Sequence, residues 1–362
     1  MDIKRMGVLS AGGDCPGINA VIHAVVKKAI LDYHMDVVGI LDGFQGLIEN
    51  RWKRLHYNDV SGILPLGGTI LGTSNKADPF HYPFYENGEL CFGDFSPKAV
   101  NNFREMDIQA LVAIGGDGTF HISQGLIAKG LNIVGVPKTI DNDLSETDLT
   151  FGFDSAVNVV TEAIDRLHTT AQSHHRVMLV EVMGRYAGWI ALHGGIAGGG
   201  DVILIPEIPF DMEAIYRAIR KRVSAGKRFS IVVVAEGAKP KGGDFVVRQK
   251  VQESHDQIRL GGISYVVGKK IEERTGMETR VVILGHLQRG GSPTPFDRVL
   301  ASRFGAAAVD LVVQGQFGYF PALKCNAIVP VLMEKAIQSL KTISLNDPLL
   351  GVARSSGICL GD

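Results

Sequence analysis

One local pattern repeats along most of this chain: a short, almost wholly apolar run, a glycine-rich or polar turn, then an amphipathic stretch of helical period. The apolar runs lie at residues 6–9, 37–41, 110–114, 133–136, 177–182, 202–205, 231–235 and 280–284. They lack the alternation of a half-exposed strand and read as strands covered on both faces. Helices are expected at 19–31, 120–128, 155–170, 212–225, 263–275 and 296–313. Strands alternating with helices give an α/β fold with mainly parallel sheets. In such sheets ligands bind beyond the carboxyl ends of the strands, so the turns that follow strands are the places to read for function.

The length of 362 residues suits one large or two ordinary domains, and 45% apolar against 21% charged residues supports packed cores. No low-complexity linker divides the chain; the best loop is 237–244, GAKPKGGD. Lys plus Arg is 37 and Asp plus Glu is 38, a net charge of −1, so no global basic excess points to nucleic acid or an anionic membrane. Cys15, Cys91, Cys325 and Cys359 are scattered and form neither a disulfide framework nor a CxxC metal site, as expected of reduced thiols in a cytoplasm. The start, MDIKRMGVLSAGGD, reads as a first strand rather than a signal peptide, and no apolar run is long enough to span a bilayer.

Glycine is in excess, 44 residues or about 12% against a usual roughly 7%. It clusters at Gly12-Gly13, Gly67-Gly68, Gly115-Gly116, Gly194-Gly195, 198–200 and Gly290-Gly291. Glycines after apolar runs suggest tight turns where backbone approaches a ligand; plain turn chemistry is the alternative for any single pair.

Three turns stand out. Gly12 to Gly17 has Walker A spacing, but Ile18-Asn19 stand where that motif has Lys-Ser or Lys-Thr, which argues against a P-loop. Backbone N–H groups before a helix would still favour an anion there. In Gly115-Gly116-Asp117-Gly118-Thr119 the glycines admit a polyphosphate, and a carboxylate and a hydroxyl can hold Mg²⁺ directly or through water. A helix cap is the bland alternative. In Pro137-Lys138-Thr139-Ile140-Asp141-Asn142-Asp143, a carboxylate can act as general base in phosphoryl transfer while a lysine stabilises the phosphoryl charge. Met183-Gly184-Arg185 ends another strand, and His286 and Arg289 share a glycine-rich loop, a usual pair for a sugar phosphate. Arg176, Glu236 and Arg280 lie at strand starts or ends, where a surface salt bridge competes as an explanation.

Taken together, SAGGDCPGIN, GGTILGT, AIGGDGT, PKTIDND, SHHRVMLVEVMGRYAG, IPEI, VVAEG and LGHLQRGGSPTPFDR resemble the phosphofructokinase family, in family order and over essentially the whole chain. The resemblance implies two Rossmann-like lobes with the active site in the cleft between them. Approximate bounds are 1–152 plus 287–338 for the larger lobe, with the phosphoryl donor and Mg²⁺, and 153–286 plus 339–362 for the smaller lobe, with the sugar phosphate. It implies Mg²⁺-dependent transfer of the ATP γ-phosphate to the 1-hydroxyl of fructose 6-phosphate, in glycolysis. By motif, Asp141 is the base, with Thr139, Asp143, Arg185 and Lys138 beside the reaction. Gly12, Gly13, Asn75, Lys76, Asp117, Gly118 and Thr119 fall to the donor, Asp117 also to the metal. Thr139, Ile140, Asp141, Met183, Gly184, Arg185, Glu236, His286 and Arg289 fall to the sugar phosphate. In the family Arg176 and Arg280 reach it from a neighbouring subunit, so a homodimer or homotetramer is implied.

Two departures concern cations. Where ATP-dependent bacterial relatives carry an arginine after Leu-Gly-x-x, this chain reads Leu71-Gly72-Thr73-Ser74-Asn75-Lys76; Lys76 is the candidate replacement. The arginine-rich bacterial effector positions read His23, Lys27 and His168 here. The donor signature is mixed: Gly118 is ATP-type, whereas Lys138 is the residue of diphosphate-using relatives, which usually carry Asp in place of Gly118. Because an Asp excludes ATP by bulk and charge, ATP is the expected donor, with diphosphate the alternative. A non-catalytic regulatory subunit would have lost Asp117, Asp141 or Asp143, and all three are present. An NAD or lipid kinase sharing the GGDGT-like turn would need neither 139–143 nor 286–289.

Overall fold

The computed structural model describes residues 3–250 and 258–362. Its first sheet comprises β1 (Arg5–Ser10), β2 (Asp36–Ile40), β3 (Trp52–Leu55), β4 (Ala110–Gly115) and β5 (Ile133–Pro137), in the order β3-β2-β1-β4-β5. Every pairing is parallel except β2 with β3. β1 leads to β2 on one side and β4 joins it on the other, so strand order reverses between β1 and β4. Crevices open at such reversals. The register runs from Met6↔Ala110 to Ser10↔Ile114, which starts the turns after β1 and β4 side by side. The Ala11 N–H donates to the Ile114 carbonyl at 2.9 Å.

The second sheet comprises β6 (Val177–Val182), β7 (Val202–Leu204), β8 (Ser230–Ala235) and β9 (Thr279–Ile283), all parallel, in the order β9-β6-β8-β7. β4, β6 and β8 are buried throughout, which explains their continuous apolar character.

The helices are α1 (Ile18–Tyr33), α2 (Asp117–Ala128), α3 (Phe153–His174), α4 (Trp189–Ala197), α5 (Met212–Ser224), α6 (Ile263–Thr275) and α7 (Pro295–Val313), with shorter ones between. α1 buries Ile18, Val21, Ile22, Val25 and Ala29, a stripe of helical period that packs on α7. Gly305 makes that approach possible, since a Cβ there would lie 2.7 Å from the Val21 carbonyl oxygen. One apolar cluster runs through both sheets, including Val8, Val21, Phe151, Val180, Ile190 and Phe304. The hairpin Tyr319–Lys324 with Ala327–Leu332 covers α2, its Phe320 ring 5.2 Å from that of Phe120.

All eight expected strands and six expected helices are present within a few residues. α4 is an addition. Gly194 and Gly195, counted above among the turn glycines, are helical in it. They serve packing: a Cβ on Gly194 would meet Val160 at 2.6 Å, and one on Gly195 would meet Ile203 at 2.6 Å. Among the described residues no helix is long and apolar enough to cross a membrane.

Candidate active site

Three turns of the first sheet meet at the β1–β4 switch. The turn after β1 carries Gly12 at φ +76°, a conformation that favours glycine. Its N–H is taken by the Ser74 carbonyl at 3.0 Å, and its carbonyl accepts from Thr73 Oγ1 at 2.7 Å. The segment holding Asn75 and Lys76 is thereby sewn to the first turn, with both residues exposed. Beside it lies a groove of about 230 Å³ lined by Gln45, Ser74, Lys76, Tyr82 and Tyr85.

After β4, Gly116 caps α2, and Asp117, Gly118 and Thr119 form its first turn. Asp117 and Gly118 are half-buried; Asp117 Oδ1 is 3.4 Å from His121 Nε2. Gly116 leaves the narrow gap to β5's exit, since a Cβ there would sit 3.2 Å from the Lys138 carbonyl oxygen. Among the described residues no cluster of three acidic, His or Cys side chains forms a ready-made cation cage. Mg²⁺ does not require one, because it is usually held by one or two carboxylates with substrate phosphates and water. Asp117 fits that pattern, with the Asp143 charge near it.

The turn after β5 is the most constrained. Lys138 is buried, and its ammonium donates to the Gly13 carbonyl. Burial lowers its pKa. Thr139 Oγ1 donates to Asp143 Oδ1 at 2.9 Å and accepts from the Asp141 N–H at 3.1 Å. Asn142 adopts φ +51°, and its Oδ1 accepts from the Thr150 N–H at 3.2 Å. This backbone leaves Asp141 Oδ1 buried without a hydrogen-bond partner among the described residues. Burial, then the Asp143 charge, pushes the Asp141 carboxyl up to about 6, against the pull of Arg289, Arg185 and Lys138. Ile140 is buried and anchors the turn in the core.

The second sheet brings its own turns to the same place. Gly184, at φ +132°, and Gly237 let the ends of β6 and β8 cross: a Cβ on Gly237 would lie 1.9 Å from the Arg185 carbonyl oxygen. Glu236, half-buried, is raised to about 7 by burial and by Asp141, with Arg185 and Arg289 opposing. The Met183 N–H donates to Oε1 of the buried Gln288 at 3.2 Å, fixing the turn at 285–289 beneath β6. His286 is exposed on that turn. Arg289 turns toward the first sheet: Nη1 donates to the Asp14 carbonyl at 3.0 Å, and a Cβ on Gly13 would lie 2.8 Å from it. Of this pair in the sequence, Arg289 thus turns to the first sheet while His286 stays exposed on the turn.

Two of the expected residues lie elsewhere. Arg176 and Arg280 sit at the amino ends of β6 and β9, opposite the ends that carry Arg185 and His286, and share Glu278 as partner. Residues that sequence reasoning passed over also shape the site: Gln288 under β6, Asn142 in the third turn, and Lys341, which reaches Asn142 Oδ1 at 2.9 Å from 199 positions away.

The family model described as Phosphofructokinase matches residues 5–312. The chain belongs to the phosphofructokinase family. It is 49% identical over 362 residues to the ATP-dependent 6-phosphofructokinase 2 of Clostridium perfringens, covering 99% of each chain. It is 51% identical to the ATP-dependent 6-phosphofructokinase of Chloroflexus aggregans, covering 99% of this chain and 98% of that one. Among solved structures, the phosphofructokinase of Pichia pastoris matches with a TM-score of 0.80 at 30% identity; 98% of this chain is covered, but only 37% of that longer chain. The pyrophosphate-dependent phosphofructokinase of Nitrosospira multiformis matches with a TM-score of 0.80 at 22% identity, covering 99% and 93%, which shows a shared fold. As a phosphofructokinase, the chain is an enzyme of phosphoryl transfer.

Proposed function

We propose that this phosphofructokinase transfers the γ-phosphoryl group of ATP to the 1-hydroxyl of fructose 6-phosphate, with Mg²⁺, in the cytoplasm as a glycolytic enzyme. The observation that carries the reading is Asp141: a carboxylate with one buried oxygen that has no hydrogen-bond partner among the described residues, a pKa raised to about 6, and Arg185, Arg289 and Lys138 around it. It takes the proton of the attacking hydroxyl. Thr139 Oγ1 accepts from the Asp141 N–H, which holds that backbone, and donates its own hydrogen bond to Asp143 Oδ1. Arg185 and Lys138 stabilise the negative charge that spreads over the transferring group. Asp117 would hold the metal, which would supply neutralisation of charge on the donor phosphates. Gly12, Gly13, Gly118 and Thr119 lie against those phosphates. Ile140, Met183, Gly184 and Glu236 line the sugar. The groove beside Asn75 and Lys76, with Tyr82 and Tyr85 on its wall, suits adenosine, for which a diphosphate donor has no counterpart. The relatives named ATP-dependent near 50% identity support the same donor.

A coupled assay with ATP, Mg²⁺ and fructose 6-phosphate, repeated with diphosphate, tests this. kcat/KM for ATP is expected to exceed that for diphosphate. The reverse ratio overturns the donor, and no turnover with either overturns the reaction.

His286 and Arg289 are assigned to the sugar 6-phosphate, Arg289 leaving the Asp14 carbonyl when the anion arrives. His286→Ala and Arg289→Ala are each expected to raise the KM for fructose 6-phosphate about tenfold or more, and that for ATP less. If Arg289→Ala moved only the ATP KM, its place at Gly13 would be its working place.

A lobe division at 1–152 plus 287–338 and 153–286 plus 339–362 is supported at both ends. The hairpin at 319–332 packs on β5, while Ile203 N–H donates to the Cys359 carbonyl at 2.9 Å. Self-association as a homodimer or homotetramer is supported by the position of Arg176 and Arg280, away from their own cleft. It is also supported by exposed apolar side chains on the edge strand β9, on α6 packed against it and on the turn that follows it, namely Ile283, Tyr265 and Leu287. If these arginines complete a neighbour's site, mixing inactive Arg176→Ala subunits with inactive Asp141→Ser subunits restores part of the activity. A fully active monomer in sedimentation would contradict the shared site.

A further inference from the structure

The segment at 340–343 runs between the two sheets and holds a turn from each. On the first-sheet side, Leu340 bridges Leu144, and the Lys341 N–H donates to the Asp143 carbonyl at 2.8 Å. The Lys341 ammonium then donates to Asn142 Oδ1, the Thr147 carbonyl and the Asp148 carbonyl, each at 2.9 Å. On the second-sheet side, Trp189 Nε1 donates to the Lys341 carbonyl at 2.9 Å. The Ile343 N–H donates to Glu207 Oε1 at 2.9 Å, and the same carboxylate accepts from the Gly188 N–H at 3.0 Å. Gly188 and Trp189 directly follow the turn that carries Arg185.

We infer that Lys341 is a positioning residue for phosphoryl transfer, clamping the Asp141 turn and tying it to the Arg185 turn. Asn142, next to Asp141, is held in a left-handed conformation that costs free energy unless neighbours enforce it. Three charge-assisted bonds from one ammonium supply that enforcement. No bond of Lys341 is made to Asp141 itself, so its effect on the base acts through backbone position. Small misplacements of a reacting group cost large factors in rate.

The charged groups around the ammonium are Asp143 and Asp148 of the turn, Lys324 of the hairpin and His193 of α4. Burial brings Lys341 down to about 8, with the two aspartates opposing. The cation is therefore whole below about pH 8 and is lost above it, so the clamp loosens on the alkaline side.

The inference rests on Asp141 as the base, and the test separates the two. In the full chain, Lys341→Met is expected to lower kcat about ten- to hundredfold, with the KM for fructose 6-phosphate changed much less. Lys341→Arg, which keeps a cation at high pH, restores part of kcat. It also removes an alkaline limb of kcat that the native chain shows near pH 8. If Lys341→Met does not fold, the native pH profile and Lys341→Arg decide. A kcat for Lys341→Met close to native, or no alkaline limb that Lys341→Arg moves, overturns the clamp. A native turnover in Asp141→Asn would instead overturn the base, whatever Lys341 does.

Discussion

Asp141→Asn is expected to lower kcat by about 10²-fold or more, the usual scale for loss of a general base, with little change in the KM for fructose 6-phosphate. Asparagine keeps the size of the side chain and the Asp141 N–H bond to Thr139, so the turn should persist while the proton acceptor goes. The native enzyme should show an acid limb in kcat near pH 6, because protonation below that value blocks the lone pair that accepts the hydroxyl proton. The same shift has a sign for stability. The folded value of about 6 lies above the ordinary 3.8, so the folded state holds this proton more tightly. Its contribution to stability is whole below the ordinary value and is lost as pH rises through about 6. The asparagine variant should therefore gain thermal stability over the native chain at pH 8 and lose that gain at pH 4. Lower kcat together with higher Tm at alkaline pH is the signature of a strained catalytic carboxylate. Near-native turnover in the variant would remove Asp141 from the role, and an unchanged Tm difference across pH would remove the strain.

How much of this was legible beforehand follows from how far apart the interacting residues lie. β4, β6 and β8 were readable because burial on both faces leaves an unbroken apolar run that needs no partner to recognise. The turns after them were readable because Gly115 to Thr119 and Pro137 to Asp143 each carry their chemistry within a few consecutive residues. α4 was hidden because Gly194 and Gly195 have low helix propensity, and only the packing of Val160 and Ile203 against them explains why the helix persists. The orientation of Arg289 toward Gly13 was hidden as well, since a spacing of three from His286 says nothing of which lobe a long side chain faces. Lys341 gave no signal. Its partners are two backbone carbonyls and an amide nearly 200 positions earlier, and a lone lysine in a polar tail reads as solvated surface.

Gly118→Asp is expected to abolish most ATP-dependent activity without unfolding the chain. Gly118 lies in the first turn of α2 with negative φ, so an L-residue fits its backbone. Aspartate there gains helix propensity over glycine and sits well at a helix amino end. Loss of activity can then be assigned to the site, provided the Tm does not fall. The new carboxylate would stand beside Asp117, where the donor phosphates are proposed to bind. At about 4 Å and an effective dielectric near 20, its repulsion with one phosphate charge is on the order of 4 kcal/mol before screening. Even a fraction of that outweighs most single contacts adenosine could make in the groove of Gln45, Lys76, Tyr82 and Tyr85. Lys138 has a different standing. Its ammonium is buried and bonded to the Gly13 carbonyl, which holds the first turn against the third whatever the donor. Lys138→Gly should accordingly lower turnover with ATP and create no preference for diphosphate. The deciding measurement is kcat/KM for ATP and for diphosphate, with Mg²⁺ and fructose 6-phosphate saturating, in the native chain and both variants. A Gly118→Asp enzyme that still used ATP at near-native rate would sink the steric and electrostatic argument, and a Lys138→Gly enzyme that switched donors would make the lysine the residue that selects.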